Sequence, residues 1–134
     1  QSAGRSSLWS RADHGSVVRW IFPAHDFAVY DGDTITASVD LGFGVSKRIT
    51  GRLDGIDAPE LRGPERADGL VARDWLREAL DTASSVRIAT RSGSGRQTGK
   101  YGRWLITLWI TRDDQPEEEN LNETMVEEKV ADRY

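Results

Sequence analysis

Five strand-like runs, with an amphipathic helix after the third and another helix at the end, predict a mainly β domain of the α+β class. Three observations carry this expectation: polar/apolar alternation after an Asp-Gly turn at residues 31–32, helical spacing of apolar side chains from Gly69 to Ala83, and Gly- or Pro-marked turns between the other runs. A length of 134 residues suits one domain with a real core. Residues 1–16, rich in Ser, Gly and Arg without apolar period, read as a flexible arm on which Trp9 is the one docking candidate, and residues 17–134 as the domain.

Each element follows in order. Val17 to Phe22 runs up to Pro23, and Phe27 to Tyr30 leads into the Asp31-Gly32 turn. Thr34, Thr36 and Ser38 then alternate with Ile35, Ala37 and Val39, the pattern of a strand with one buried face. Gly42 and Gly44 mark a bend, and a third strand is predicted from Lys47 to Ile56. The helix over Gly69–Ala83 sets Leu70, Val71, Ala72, Trp75, Leu76, Ala79 and Leu80 against Arg66, Arg73, Asp74, Arg77 and Glu78. Strands at Val86–Thr90 and Trp104–Thr111 flank the turn-rich Ser92-Gly93-Ser94-Gly95. Asn122 or Asn120 caps a last helix whose inner face uses Leu121, Met125, Val126 and Val130. A barrel and a mixed sandwich both accommodate these elements.

Composition narrows the chemistry. The chain has no cysteine, which excludes disulfides, thiolate metal sites and cysteine nucleophiles. No apolar run approaches the length of a membrane span and no signal-like stretch is visible, so a soluble protein is expected, with its compartment open. The net charge of −4 is unevenly spread: residues 1–112 carry 16 Lys and Arg against 13 Asp and Glu, whereas residues 113–134 carry 2 against 9. A mildly basic body thus precedes an acidic end, which is expected to be solvated helix surface.

Three motifs carry chemistry: Asp31-Gly32-Asp33-Thr34, Arg52-Leu53-Asp54-Gly55-Ile56-Asp57-Ala58-Pro59-Glu60, and Lys100-Tyr101-Gly102-Arg103. Asp33 and Asp57 supply hard oxygen ligands for a cation, Glu60 handles a proton, and Arg52 and Arg103 answer negative charge growing on a phosphate. Singly, each residue has an ordinary reading as a turn former, loop charge or strand-surface cation. Their conjunction in this order is the specific signal.

On these motifs the chain resembles the staphylococcal nuclease family from about Phe27 to Ala131. The resemblance implies a five-stranded OB-type barrel with two or three helices, binding calcium and hydrolysing DNA and RNA to leave 3′-phosphate ends. Carried over residue by residue, it makes Asp33 and Asp57 the calcium carboxylates, with the main-chain oxygen of Ala58 and waters completing the set. Arg52 and Arg103 flank the scissile phosphate, Glu60 lies near the attacking water, and Lys100 and Tyr101 contact a neighbouring phosphate. Leu121-Asn122-Glu123 resembles the start of the family's next helix. The chain departs from the archetype at Ala58, where that family has threonine, at Gly99 in place of an aspartate, and in a shorter loop from Leu61 to Asp68.

Other features read blandly. His14 and His25 lack ligand spacing, and Ser92–Arg96 lacks a P-loop ending. Arg62, Arg66, Arg73 and Arg77 form a solvated face, and Trp75, Trp104 and Trp109 are core. The reading is a monomeric, calcium-dependent nuclease acting on nucleic acid; the alternative is a non-catalytic nucleic-acid or protein-binding module of the same fold. An assembly protein using the acidic end has only the charge segregation in its favour.

Overall fold

The computed structural model describes residues 19–91 and 104–134. The expected arm at residues 1–16, the Ser92–Gly95 turn and the Lys100–Arg103 motif lie outside these residues. Eight strands and two α-helices are described: β1 (Arg19–Asp31), β2 (Thr34–Gly42), β3 (Val45–Leu53), β4 (Ile56–Asp57), α1 (Arg66–Thr82), β5 (Ser85–Arg91), β6 (Trp104–Thr111), β7 (Glu119–Asn120), α2 (Leu121–Glu127) and β8 (Asp132–Arg133).

The long strands settle the choice between barrel and sandwich. They run in the order β3-β2-β1-β5-β6, and β6 returns to pair in parallel with β3 from Gly51↔Trp104 to Leu53↔Ile106. A sheet whose last strand pairs with its first is a closed barrel, here the five-stranded OB type. β1 serves two neighbours in succession: Arg19–Ala24 pairs with β5, and Ala24–Asp31 pairs with β2 across a bulge at His25/Ala28. The two runs on either side of Pro23 are therefore one strand. Pro23 lies just past the last β2 pair, where one side of its backbone has no ladder to interrupt.

Apolar alternation built the interior as expected. Ile35, Ala37 and Val39 of β2 meet Leu53, Ile88, Ile106, Leu108 and Ile110, with Leu76 of α1 and Leu121 and Met125 of α2 closing the core. Trp75, Trp104 and Trp109 are only half-buried. α1 starts three residues ahead of the expected Gly69, continuing a 3-10 turn over Gly63–Glu65 that has Pro64 at its start, and Val71, 60% exposed, falls outside its buried stripe of Gly69, Ala72, Leu76, Ala79 and Leu80.

The third strand ends at Leu53 and not at Ile56. Gly55, at φ 82°, turns the chain so that Ile56-Asp57 leaves the barrel sheet and pairs instead with Asp132-Arg133. The last helix is also shorter than expected, ending before Val130. Its cap is Asn120, whose side chain accepts the Glu123 amide at 3.2 Å.

Asn122 has a different task. Buried, it accepts the Leu108 amide at 3.1 Å and donates to the carbonyls of Asp54 at 2.9 Å and Ile106 at 3.1 Å. One side-chain amide thus joins α2, β6 and the turn that follows β3. Two residues of the acidic end are drawn onto the body, Glu118 to Arg87 at 2.6 Å and Glu119 to Arg112 at 2.9 Å, while Glu123 pairs within that end with Arg133 at 2.9 Å. No described helix is long and apolar enough to cross a membrane.

Asn122→Ala should lower unfolding free energy by about 2–3 kcal/mol, because it strands the buried Leu108 amide and removes the bonds to the Asp54 and Ile106 carbonyls, the latter still accepting the Asp54 amide at 2.8 Å. Urea unfolding monitored by tryptophan fluorescence measures this; a loss below about 0.5 kcal/mol would mean water replaces the side chain's bonds.

Candidate active site

The turn between β1 and β2 places the first carboxylates. Asp31 accepts the Asp33 amide through its side chain at 3.1 Å, closing the Asp-Gly-Asp turn. At Gly32 a Cβ would come within 2.7 Å of the Ala58 Cβ and 2.8 Å of the Ala72 Cβ, so only glycine lets this turn press against both the segment after β4 and α1. Asp33 is consequently 8% exposed.

A carboxylate so buried needs partners on each oxygen. The Ala58 amide donates to Asp33 Oδ2 at 3.0 Å, and the Thr34 hydroxyl donates to Oδ1 at 3.2 Å. Arg52 reaches it from β3, where the register sets Arg52 opposite Thr34. Its Nη2 lies 3.6 Å from Asp33 Oδ2 and 3.3 Å from Asp57 Oδ1. One guanidinium nitrogen therefore stands between the two carboxylates.

The outer side of that guanidinium meets an aromatic ring. Arg52 Cζ lies 5.2 Å from the centroid of Tyr134, a cation–π contact. Tyr134 is held there by the β4–β8 pairing and by its amide, which donates to the Gly55 carbonyl at 2.9 Å.

Glu60 belongs to the same loop, and its backbone is fixed from two sides. Its amide donates to Glu65 Oε1 at 3.0 Å, and Gly69 of α1 packs so closely that a Cβ there would overlap the Glu60 carbonyl. The Glu60 carboxylate makes no ion pair among the described residues and is exposed. Asp33, Arg52, Asp57 and Ala58 are thus brought together, Glu60 stands on the adjoining loop, and Lys100, Tyr101 and Arg103 lie outside the described residues.

Two neighbours escaped sequence reasoning. Asp31 has a pKa raised to about 6, first by burial and then by the Asp33 carboxylate beside it. Its place two residues before Asp33 was the available signal. Tyr134 had none, because its position depends on a two-residue pairing with a segment nearly eighty residues earlier. His25, by contrast, is exposed, with Asp26 at 3.8 Å, in keeping with a solvated role. Of the helix arginines, Arg66 donates to the Leu61 carbonyl, Arg73 pairs with Asp74, and Arg77 donates to the Val29 carbonyl, so each is engaged locally.

Residues 50–134 match the family model of the staphylococcal nuclease homologues. The chain belongs to that family. Its members are in the main hydrolytic nucleases, and the match takes in Arg52, Asp57, Ala58 and Glu60. Asp33 precedes the matched residues and is tied to them by the Ala58 amide and the Arg52 guanidinium. No curated protein matches the chain.

The Asp31 carboxyl makes a pH-dependent prediction for the metal-free protein. A carboxyl whose folded pKa exceeds its unfolded value contributes fully at low pH, and that contribution is lost as pH rises from about 4 through about 6. Above about pH 7, Asp31→Asn should therefore stabilise the protein in chelator by about 1–2 kcal/mol, a range discounted because the group is only half-buried, with no gain below about pH 4. Thermal unfolding across that range checks it; a gain independent of pH would assign the effect to packing.

Proposed function

We propose that this chain is a calcium-dependent nuclease that acts as a monomer on DNA and RNA. Water attacks phosphorus, the 5′-oxygen leaves, and the product carries a 3′-phosphate. The observation that carries this reading is Arg52, held at 3.3–3.6 Å from the carboxylates of Asp33 and Asp57.

The donors suit the ion. Asp33 and Asp57 approach one point, now taken by Arg52 Nη2, and both offer hard oxygen ligands from a turn and a loop. Among the described residues no three His, Asp or Glu side chains gather closely enough to hold a metal by themselves. Asp33, Asp57 and the Ala58 carbonyl would hold calcium with waters in the remaining positions. When bound, the ion supplies positive charge beside the phosphate and acidifies water.

The chain's own residues supply the rest. Arg52 presents a planar fork able to bind two phosphoryl oxygens and stays charged throughout. Its Tyr134 and carboxylate contacts restrict the guanidinium before substrate arrives, lowering the entropy lost on binding. Glu60 takes the proton of the attacking water. Among the described residues no cation pairs with its carboxylate, while its backbone is fixed by Glu65 and α1. Arg103 is the second guanidinium at the phosphate, and Lys100 and Tyr101 engage the neighbouring one, on the strength of the resemblance.

Incubation with single- and double-stranded DNA and with RNA, in calcium or chelator, followed by end-group identification, tests the reading. Calcium-dependent products ending in 3′-phosphate are expected. Activity in chelator would remove the calcium assignment, and binding without cleavage would favour the non-catalytic module.

Arg52→Lys should reduce kcat by roughly a hundred- to a thousandfold with a much smaller change in substrate affinity, since the lost contact strengthens in the transition state. Single-turnover rates beside equilibrium binding separate the two; a defect confined to binding would deny Arg52 that role. Glu60→Gln should cut turnover by about a hundred- to ten-thousandfold while calcium titrations stay near wild type. Parallel loss of calcium binding would instead make Glu60 a ligand.

A further inference from the structure

The ribbon formed by β2 and β3 outruns the barrel. The last residue of β2 beside β1 is Val39, paired with Ala24, and β6 joins β3 only from Gly51. Asp40 to Ser46 therefore stand beyond the barrel wall with only each other as strand partners among the described residues. Leu41, Phe43 and Val45 are exposed at this tip, Phe43 completely. The connecting turn is Phe43-Gly44, at φ 59° and 76°. Hairpin turns with positive φ at both central residues favour Asn, Asp or Gly, and a bulky ring there strains the backbone while burying nothing. Folding gives no reason for Phe43, and such strain is a pointer to function.

The apolar tip continues into the end of the barrel. Trp20, itself exposed, lines an apolar groove of about 220 Å³ together with Phe22, Leu41, Ile49 and Trp104. Cations rim this surface. Lys47 reaches the same groove two residues behind Val45, and no carboxylate pairs with it among the described residues. Arg48 bonds neutral acceptors, the Asp26 carbonyl at 2.6 Å and the Ser38 hydroxyl at 2.9 Å. Register adds Arg19 and Arg91 at paired positions one step beyond Trp20 and Thr90. Two carboxylates oppose these four cations: Asp40, turned back to accept the Gly42 amide at 2.9 Å, and Asp26, which faces His25. A contiguous exposed apolar patch with a charged rim marks an interaction surface.

We infer that the β2–β3 tip docks on an anionic lipid surface, with Leu41, Phe43 and Val45 entering the boundary between headgroups and acyl chains and Lys47 and Arg48 at headgroup level. Val45 and Lys47 are about 7 Å apart along the strand, so sinking the tip by the about 5–10 Å usual for interfacial segments brings the cations to the phosphates. A second copy of the chain fits this tip less well. A stable dimer takes about 800 Å² from each partner, and the three apolar side chains of a narrow tip offer well under that, whereas a bilayer closes around a convex shape. About 25 Å of β2 separates Thr34 from Gly42, which keeps the Asp33–Arg52–Asp57 cluster away from the docked end. The inference does not depend on the hydrolytic reading.

Co-sedimentation of the full chain in chelator with vesicles of phosphatidylcholine alone, and of equimolar phosphatidylcholine and phosphatidylserine, tests it at low and high salt. Binding to the phosphatidylserine vesicles is expected, weakening as salt screens the cations. Phe43→Gly removes the ring and relieves the positive φ, so it should fold at least as stably while partitioning about 10- to 100-fold less. Lys47→Gln should lower partitioning about fivefold and blunt the salt dependence. No binding to anionic vesicles, equal binding to both vesicle types, or equal partitioning of wild type and Phe43→Gly would overturn the inference. Sedimentation velocity without lipid covers the rival occupant: a dimer that Phe43→Gly abolishes, in a protein that leaves vesicles alone, would give the tip to a second copy.

Discussion

The buried carboxylate of Asp33 is the constraint on which the site depends. Taken out of water, its charge is tolerable only where donors reach both oxygens and a cation stands close. Those partners come from three places in the chain: Thr34 next to it, the Ala58 amide beyond β4, and Arg52 on β3. Satisfying one side chain therefore fixes the β1–β2 turn, the third strand and the Ile56–Glu60 segment relative to each other. Close approach at Gly32 and Gly69 then seats that assembly against α1.

The same logic explains Asn122. Where β3 ends and the chain turns at Gly55, a single side-chain amide with a donor and an acceptor end bonds three backbone groups of β6 and the turn. The short β4–β8 pair hangs from that turn and delivers Tyr134 to Arg52. Fold and site meet here: the second helix holds the turn, the turn orients the Asp57 loop, and the chain's last residues back the guanidinium.

Much of this was legible in sequence because it is local. Alternation in Thr34–Val39 gives β2, helical spacing gives the buried stripe of α1, and the Asp-Gly-Asp turn marks Asp33. Barrel closure was legible only through the family resemblance, since the β3–β6 pairing joins residues about fifty positions apart and alternation alone serves a sandwich equally well. The third strand stops short of its expected end because the positive φ of Gly55 breaks its direction, although Ile56 continues its apolar pattern. Asn122 resembled a cap in type and position. Only the packing of α2 on β6 and the Asp54 turn reveals it as a buried bridge, with the cap at Asn120. The burial of Asp31 likewise depends on what packs over the turn, which no short window contains.

The charge distribution shows why a net value is a poor guide to the surface. The acidic end looks forbidding to a polyanion when counted along the chain, yet Glu118, Glu119 and Glu123 are each paired with an arginine. Hydrogen bonds from Arg87 and Arg133 hold Glu118 and Glu123 below the usual carboxylate range. For Glu119 the bonds from Arg112 and Thr124 outweigh an opposing effect of burial. Such pairs present near-neutral dipoles, and what remains of their field is screened within roughly 10 Å at physiological salt. A phosphate approaching the Asp33–Arg52–Asp57 cluster responds instead to the charges within that distance. The sign of the local site, set by how many cations balance Asp31, Asp33 and Asp57, therefore matters more to its chemistry than the −4 carried by the chain.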